Sequence, residues 1–168
     1  LLGVPEEKIS VIYSGVSSRF QQLSPDAIQR FRAISHVPFP FILSLGALEP
    51  RKNVIAAIRA FALLKQDIRF RSMRLVIAGR PGFRAREIFR EARHFRSGAS
   101  NWARHSSVSN AIIFLGSVKD EERPLLYNAA SAFVYPSFFE GFGFPPLEAQ
   151  ACGTPAVIAD RTSLPEIA

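Results

Sequence analysis

Short and continuously apolar runs recur along the chain, and most are followed by a turn residue and then by a helical pattern. The sequence predicts strands at 8–13, 39–45, 74–78, 111–115, 131–135 and 156–159. Strands that are apolar throughout, rather than at alternate positions, are typical of a parallel sheet buried on both faces. The pattern therefore predicts an α/β fold, with a doubly wound, Rossmann-like, mostly parallel sheet and helices on both faces.

The segments between these runs predict the helices of the fold. A buried helix is expected over 54–65 with Asn53 as its N-cap, and an amphipathic helix over 83–95. Asp120 is expected to cap a short helix, and Pro146 to occupy the first position of a helix that continues to 151. Residues 97–110 are predicted to be a polar loop, and the last residues look like the beginning of another helix.

In sheets of this kind, ligands bind beyond the carboxyl ends of the strands, so the loops there are the places to seek chemistry. The loop over 46–53 carries Arg51 and Lys52 directly before a predicted helix. Cations next to the positive N-terminal end of a helix dipole destabilise the helix by up to about 1 kcal/mol. A bound phosphate would offset that cost. We therefore favour phosphate binding over the alternative that both side chains extend into solvent.

The loop over 137–148 contains two carboxylates and two glycines. Gly141 and Gly143 leave the backbone N–H groups open to a ligand, while Glu140 and Glu148 flank the turn. Ionised carboxylates accept hydrogen bonds, so the pair suits a ligand with many hydroxyl groups. The alternatives are a first-turn helix charge for Glu148 and a solvated loop residue for Glu140. Four phenylalanines close to Glu140 make the second alternative less attractive.

Composition excludes several classes of protein. With 168 residues, 48% of them hydrophobic and 21% charged, the chain is long and apolar enough for one folded domain. Its single cysteine, Cys152, cannot form an internal disulfide and indicates a reducing compartment. The three histidines have no zinc-binding spacing, and no apolar run could span a bilayer. Because the chain begins with Leu1 and stops where a helix begins, we expect it to be part of a longer protein.

The net charge of +7 is concentrated in ten arginines between residues 69 and 104. We favour a solvated basic face, with attraction to an anionic membrane surface as the alternative. Nucleic acid is disfavoured because no aromatic residues alternate with the basic ones in the manner of single-strand-binding proteins.

Several motifs together resemble one known family. The run EGFGFPPLE followed by AQACGTPAVIAD, the run GALEPRKN, and FLGSVKDEERPLLYNAASAFVYPS resemble the C-terminal domain of family 4 (group 1) glycosyltransferases of the GT-B fold. KISVIYSGVSSRF is similar to the segment that leads into that domain. The resemblance covers roughly residues 5–168. It implies a linker at 1–20 and a nucleotide-sugar-binding domain at 21–168 that is truncated at its C-terminal end, with the N-terminal acceptor domain absent.

The resemblance also implies an activity and a site. These enzymes transfer a sugar from a nucleotide-diphosphate sugar to an acceptor hydroxyl with retention of configuration, and they need no metal or other cofactor. By their place in the motifs, Arg51 and Lys52 would hold the diphosphate, Glu140 the sugar hydroxyls and Glu148 the ribose. The remaining donor contacts implied are Gly46, Gly116, Ser117, Val118, Gly141, Phe142, Gly143 and Phe144, of which 116–118 would lie against the base.

Ala47 departs from the family pattern, in which arginine often follows the first glycine. Arg51 would then carry more of the phosphate charge. The departure favours a GDP-mannose-type donor, with a UDP-sugar as the alternative. The implied acceptor is a glycan or a lipid-linked glycan, and the implied location is the cytoplasm, including the inner face of a membrane. The fragment alone is expected to bind donor weakly and to catalyse poorly.

Three alternatives remain open from the sequence. One is a nucleotide-sugar-binding module without transfer activity, and another is a sugar-nucleotide epimerase of similar fold. A glycoside hydrolase would also use two carboxylates, about 5–10 Å apart, but it would leave the predicted phosphate loop unexplained.

Overall fold

A computed structural model of the chain describes residues 3–96 and 111–167. Within these ranges, five parallel strands form one sheet in the order β3-β2-β1-β4-β5. Their bounds are β1 Phe41–Leu45, β2 Arg74–Ala78, β3 Ile112–Gly116, β4 Ala132–Tyr135 and β5 Ala156–Ile158. The predicted parallel α/β sheet is confirmed, and five of the six predicted strands are present, β2 with the predicted bounds and the others with bounds that shift by one or two residues.

Six α-helices accompany the sheet in the described ranges. They are α1 Pro25–Ile34, α2 Val54–Leu64, α3 Ala85–Arg96, α4 Arg123–Ala129, α5 Phe144–Ala151 and α6 Leu164–Ile167. Short 3-10 helices lie at Glu6–Lys8, Pro50–Lys52 and Ile68–Phe70. The sequence predicted all of the α-helices except α1. The sequence does carry a local signal for the start of α1. Ser24 accepts a hydrogen bond from the N–H of Ala27, and Pro25 occupies the first helical position.

The core has two halves, one on each face of the sheet. On β2, Leu75 and Ile77 point to the half covered by α2 and α3, and Val76 and Ala78 point to the half that includes α4 and α5. All four of these side chains are essentially inaccessible to solvent. This burial on both faces is why β2 is apolar at every position from Leu75 to Ala78, and it confirms the doubly wound arrangement.

Three predictions of local structure are wrong. Residues 9–13 form no strand and pair with none, and Val11 and Ile12 are 77% and 88% exposed. Asp120 does not cap α4, which begins at Arg123; its carboxylate instead lies 3.3 Å from the Arg123 guanidinium. Pro146 is the third residue of α5 rather than the first, because that helix already begins at Phe144. The predicted loop over 97–110 lies outside the described residues.

Candidate functional site

The candidate site lies where β1 and β4 run side by side. Strands β2 and β3 extend the sheet from β1 in one direction, and β4 and β5 extend it in the other. The connections that leave β1 and β4 therefore diverge, which opens a crevice at the carboxyl ends of these two strands. The loop after β1 carries Arg51 and Lys52, and the loop after β4 carries Glu140.

The loop after β1 turns through a short 3-10 helix before α2. Arg51 and Lys52 are the last two residues of that 3-10 helix, and Asn53 follows with a left-handed backbone (φ 51°). Asn53 precedes α2 as predicted, but its side chain makes no capping hydrogen bond, so the predicted capping role is wrong. The carbonyl of Arg51 accepts a hydrogen bond from the N–H of Phe138 at 2.8 Å, which joins this loop to the loop after β4.

Glu140 is the meeting point of both cations. Lys52 Nζ donates to Glu140 Oε1 at 2.6 Å, and Arg51 Nη1 donates to Oε2 at 3.4 Å. Lys52 also donates to the Tyr135 hydroxyl at 2.5 Å, and Arg51 Nε donates to Glu49 at 3.0 Å. The side chains of Lys52 and Glu140 are only 11% and 9% exposed. We call Arg51, Lys52, Tyr135 and Glu140 the first charged cluster.

The electrostatics of this cluster keep Glu140 ionised. Burial alone would raise the pKa of Glu140, but hydrogen bonds and the nearby Lys52 ammonium outweigh it and hold the pKa below its ordinary value. Burial and the Glu140 charge both raise the pKa of Tyr135, which therefore stays a neutral phenol. The cluster is a buried carboxylate with a lysine and an arginine at its oxygens.

The backbone of Glu140 is fixed from the C-terminal side of the chain. Its N–H donates to Thr162 Oγ1 at 3.2 Å, and its carbonyl accepts from Ser163 Oγ at 3.1 Å. The next residues, 141–144, form the turn that leads into α5, and within it the rings of Phe142 and Phe144 lie 4.8 Å apart. The rings of Phe138 and Phe139 are exposed, although Glu140 itself is buried.

Glu148, Arg123 and Tyr127 form a second charged cluster. Glu148 is the fifth residue of α5 and is buried, so the expectation of a first-turn charge is wrong. Its Oε2 accepts hydrogen bonds from Arg123 Nη2 and, at 2.8 Å, from the Tyr127 hydroxyl. Burial and the Glu148 charge raise the pKa of Tyr127. Arg123 also reaches Asp120, so one guanidinium joins two carboxylates.

A cleft of about 350 Å³ opens above the carboxyl ends of β1, β2 and β3. Of the predicted donor contacts, Gly46, Ser117 and Val118 line it. Gly46, Gly79 and Gly116 end the three adjacent strands with φ of 150°, 150° and 71°, and a Cβ on Gly79 would lie 1.8 Å from the Gly46 carbonyl oxygen. The floor of the cleft is main chain at these three glycines, and at Gly79 it is packed so closely against Gly46 that no side chain fits.

Sequence reasoning missed several polar residues of the site. Arg80, Asp120 and Arg123 line the same cleft, and Tyr127 and Tyr135 complete the two charged clusters. Arg80 follows a strand end directly and could have been found by its position. The tyrosines lie on buried faces of α4 and β4, where a sequence offers no sign that the hydroxyl meets a carboxylate.

In the described ranges, no three His, Cys, Asp or Glu side chains gather closely enough to hold a metal ion. The expectation of a metal-independent reaction stays a prediction.

Comparisons with known proteins agree on one family. Residues 27–168 match the family of glycosyl transferases group 1. The chain is 40% identical over 127 residues to O-antigen chain mannosyltransferase B of Escherichia coli, covering 76% of this chain and 30% of that protein. It is 33% identical over 166 residues to the serotype-specific mannosyltransferase WbdA of Escherichia coli, covering 98% of this chain and 19% of that protein. The chain thus spans less than a third of either relative.

Solved structures show the same fold. The C-terminal domain of the glycosyl transferase group 1 family protein LpcC from Francisella tularensis superposes with a TM-score of 0.72 at 22% identity, covering 92% of this chain and 75% of that one. Anabaena Alr3699/HepE in complex with UDP superposes with a TM-score of 0.74 at 25% identity, covering 98% of this chain and 42% of that one.

Proposed function

Because the chain belongs to the group 1 glycosyltransferases, we propose that it forms the donor-binding part of a retaining hexosyltransferase. The donor is a nucleotide-diphosphate sugar, with GDP-mannose favoured over a UDP-sugar, and the acceptor is a hydroxyl of a glycan or lipid-linked glycan. The observation that carries the proposal is the first charged cluster, which places two cations and a buried carboxylate at the crevice between β1 and β4. The mannosyltransferase names of the relatives support the choice of sugar.

The proposed reaction exchanges one bond for another at the anomeric carbon. The bond from that carbon to the diphosphate oxygen breaks, and the acceptor oxygen bonds to the same carbon on the same face. The acceptor proton leaves with the nucleoside diphosphate. Arg51 and Lys52 would neutralise charge that develops on the leaving diphosphate, and this is the electrostatic task that preorganised cations perform best. Glu140 would accept hydrogen bonds from sugar hydroxyls and, being ionised, would stabilise positive charge that develops at the reacting carbon.

The second charged cluster would hold the nucleoside. Arg123 and Tyr127 both donate to Oε2 of Glu148. Among the described residues, no donor reaches Oε1, which leaves that oxygen to accept from the ribose hydroxyls. The N–H groups of 141–144 would approach the sugar and phosphate, and residues 116–118 would contact the base.

Two measurements test the proposal. Isothermal titration compares GDP, UDP, GDP-mannose and UDP-glucose, and we expect the guanine nucleotides to bind more tightly. Transfer is then assayed in the polypeptide in which this chain occurs, as wild type and as Glu140→Gln. Loss of transfer with retained nucleotide binding supports the enzyme. Binding without transfer in the wild type would instead identify a nucleotide-sugar-binding module, and absence of nucleotide binding would overturn the proposal.

We also propose that the exposed face of α3 contacts an anionic membrane surface. Two of the described arginines between 69 and 96 have acidic partners: Arg69 pairs with Asp67 and Arg84 pairs with Glu87. Arg86, Arg90 and Arg93 are exposed along α3, and no carboxylate in the described part of the chain lies within 4 Å of them. Among the described residues, no helix is long and apolar enough to cross a membrane.

Cosedimentation with vesicles tests this contact. We expect binding to phosphatidylglycerol vesicles but not to phosphatidylcholine vesicles, and a loss of binding when Arg86, Arg90 and Arg93 are replaced together by glutamine. Equal recovery with both lipids would show that the basic face is simply solvated.

A further inference from the structure

Arg80 occupies a position in the cleft that none of the functional assignments above has used. It follows Gly79 at the carboxyl end of β2, the strand next to β1. Its carbonyl accepts a hydrogen bond from the N–H of Leu48 at 3.0 Å, so the loops after β1 and β2 are joined at this point. Arg80 lines the cleft together with Gly46 and Ala47, and it is exposed to solvent.

The cations of the two charged clusters already have acidic partners. Lys52 and Arg51 both bind Glu140, and Arg51 also binds Glu49. Arg123 binds Glu148 and Asp120. The carboxylates Glu49, Asp120, Glu140 and Glu148 thus outnumber the cations Arg51, Lys52 and Arg123. This set carries a net charge of −1, and a diphosphate adds at least two further negative charges, so a cation without an acidic partner would favour its binding.

Arg80 differs from these cations in having no acidic partner. Within residues 3–96 and 111–167, no carboxylate lies within 4 Å of its guanidinium. A phosphate that binds Arg80 therefore breaks no existing ion pair, whereas a phosphate that binds Lys52 must compete with Glu140. The planar guanidinium also matches phosphate oxygens with two parallel hydrogen bonds.

We propose that Arg80 binds the diphosphate of the nucleotide-sugar donor and supplies a cation that no carboxylate of the described residues neutralises. This inference rests on the proposed function, because it assumes that a nucleoside diphosphate enters the cleft. In this assignment, Arg80 mainly contributes to the affinity for the intact donor. Arg51 and Lys52 mainly stabilise the charge that develops on the diphosphate as its bond to the sugar breaks.

The test compares a nucleoside diphosphate with its nucleoside. Isothermal titration first compares the binding of GDP and UDP. The nucleotide that binds more tightly is then compared with its own nucleoside, guanosine or uridine, which lacks the phosphates. We expect Arg80→Gln to weaken diphosphate binding about 10-fold or more and to leave nucleoside binding, measured by competition, unchanged. Arg80→Lys keeps the positive charge but cannot make two parallel hydrogen bonds to a phosphate. Its affinity for the diphosphate should therefore lie between those of the wild type and Arg80→Gln.

Arg30→Gln is the matched control, because Arg30 is an exposed arginine on α1 that does not line the cleft. It should bind the diphosphate like the wild type, which excludes a general effect of net charge. Unchanged diphosphate binding by Arg80→Gln, or an equal loss for diphosphate and nucleoside, overturns the inference while leaving the proposed function intact. If the folded wild type binds neither GDP nor UDP, the proposed function fails and this inference fails with it.

Discussion

Lys52 Nζ lies 2.6 Å from Oε1 of Glu140, although the two residues are 88 positions apart in the chain. The contact joins the loop after β1 to the loop after β4, and both side chains are almost fully removed from solvent. A buried pair of this kind is costly to break, since one partner then remains charged without compensation. The pair is therefore both a structural clamp and part of the candidate site.

Replacing Lys52 with methionine should destabilise the fold by about 2 kcal/mol or more, because Glu140 keeps only Arg51 as a cationic partner. Urea unfolding of Lys52→Met, Glu140→Gln and the double variant measures the coupling. We expect the double variant to be more stable than the sum of the two losses predicts, by about 1–3 kcal/mol. Strict additivity would show that the pair contributes no interaction energy.

Because Glu140 is ionised in the fold, the free energy of unfolding should depend on pH in the acid range. The pKa of Glu140 in the fold is below the ordinary value of 4.5, so its contribution is complete above that value and is lost as pH falls through the folded pKa. The difference in unfolding free energy between the wild type and Glu140→Gln should therefore be constant near neutrality and shrink below about pH 4.5. A difference that grows on acidification contradicts the stated direction.

Tyr127 donates to the buried Glu148, and its removal tests the second charged cluster. Tyr127→Phe should cost about 1–2 kcal/mol, as expected for a hydrogen bond to a charged group when Arg123 remains in place. Tyr13→Phe is the matched control, because Tyr13 also donates to a glutamate, Glu166, but at an exposed position. That change should stay within about 0.5 kcal/mol. Equal losses of unfolding free energy in the two variants would show that the buried hydrogen bond to Glu148 stabilises the fold no more than an exposed one.

Gly79→Ala should disrupt the floor of the cleft. The added Cβ would lie 1.8 Å from the Gly46 carbonyl oxygen, and φ of 150° is unfavourable for alanine. We expect a loss of about 3 kcal/mol or more by thermal or urea unfolding. Gly141→Ala meets nothing within 4 Å and should unfold like the wild type. A stable Gly79→Ala protein would contradict the close contact of the two loops.

The thiol of Cys152 should be inert in the folded protein. Burial and the nearby Glu148 charge raise its pKa to about 11, so little thiolate exists at pH 8. Labelling with a disulfide reagent should be slow without denaturant and should reach one thiol per chain after unfolding. Fast labelling of the folded chain would mean that α5 opens readily at its C-terminal end.

The sheet could be predicted from the sequence because a strand covered on both faces must be apolar at every position. The same reasoning failed at residues 9–13, where Val11 and Ile12 are apolar yet exposed, since periodicity alone does not reveal whether a partner strand is present. The placement of Arg51, Lys52 and Glu140 on loops at the carboxyl edge followed from the predicted strand ends. Their mutual contacts, by contrast, depend on the order of strands in the sheet.

The second cluster was beyond prediction from sequence for a related reason. Glu148 meets Arg123 and Tyr127 only because α4 packs beside α5, and no local pattern encodes that pairing. The sequence motifs assigned no role to Arg80. Its interest comes from charge balance, which can be assessed only when the partners of every neighbouring cation are known.

The glycines that end β1, β2 and β3 have a consequence for engineering. Since the floor of the cleft is made of main chain, its shape cannot be altered gradually by exchanging side chains there: a new Cβ on Gly79 collides with the neighbouring strand end. Attempts to retarget the chain to a different nucleotide should leave Gly46 and Gly79 untouched. They should randomise the walls instead, at Ser117, Val118 and Asp120, which line the cleft and do not have positive φ angles.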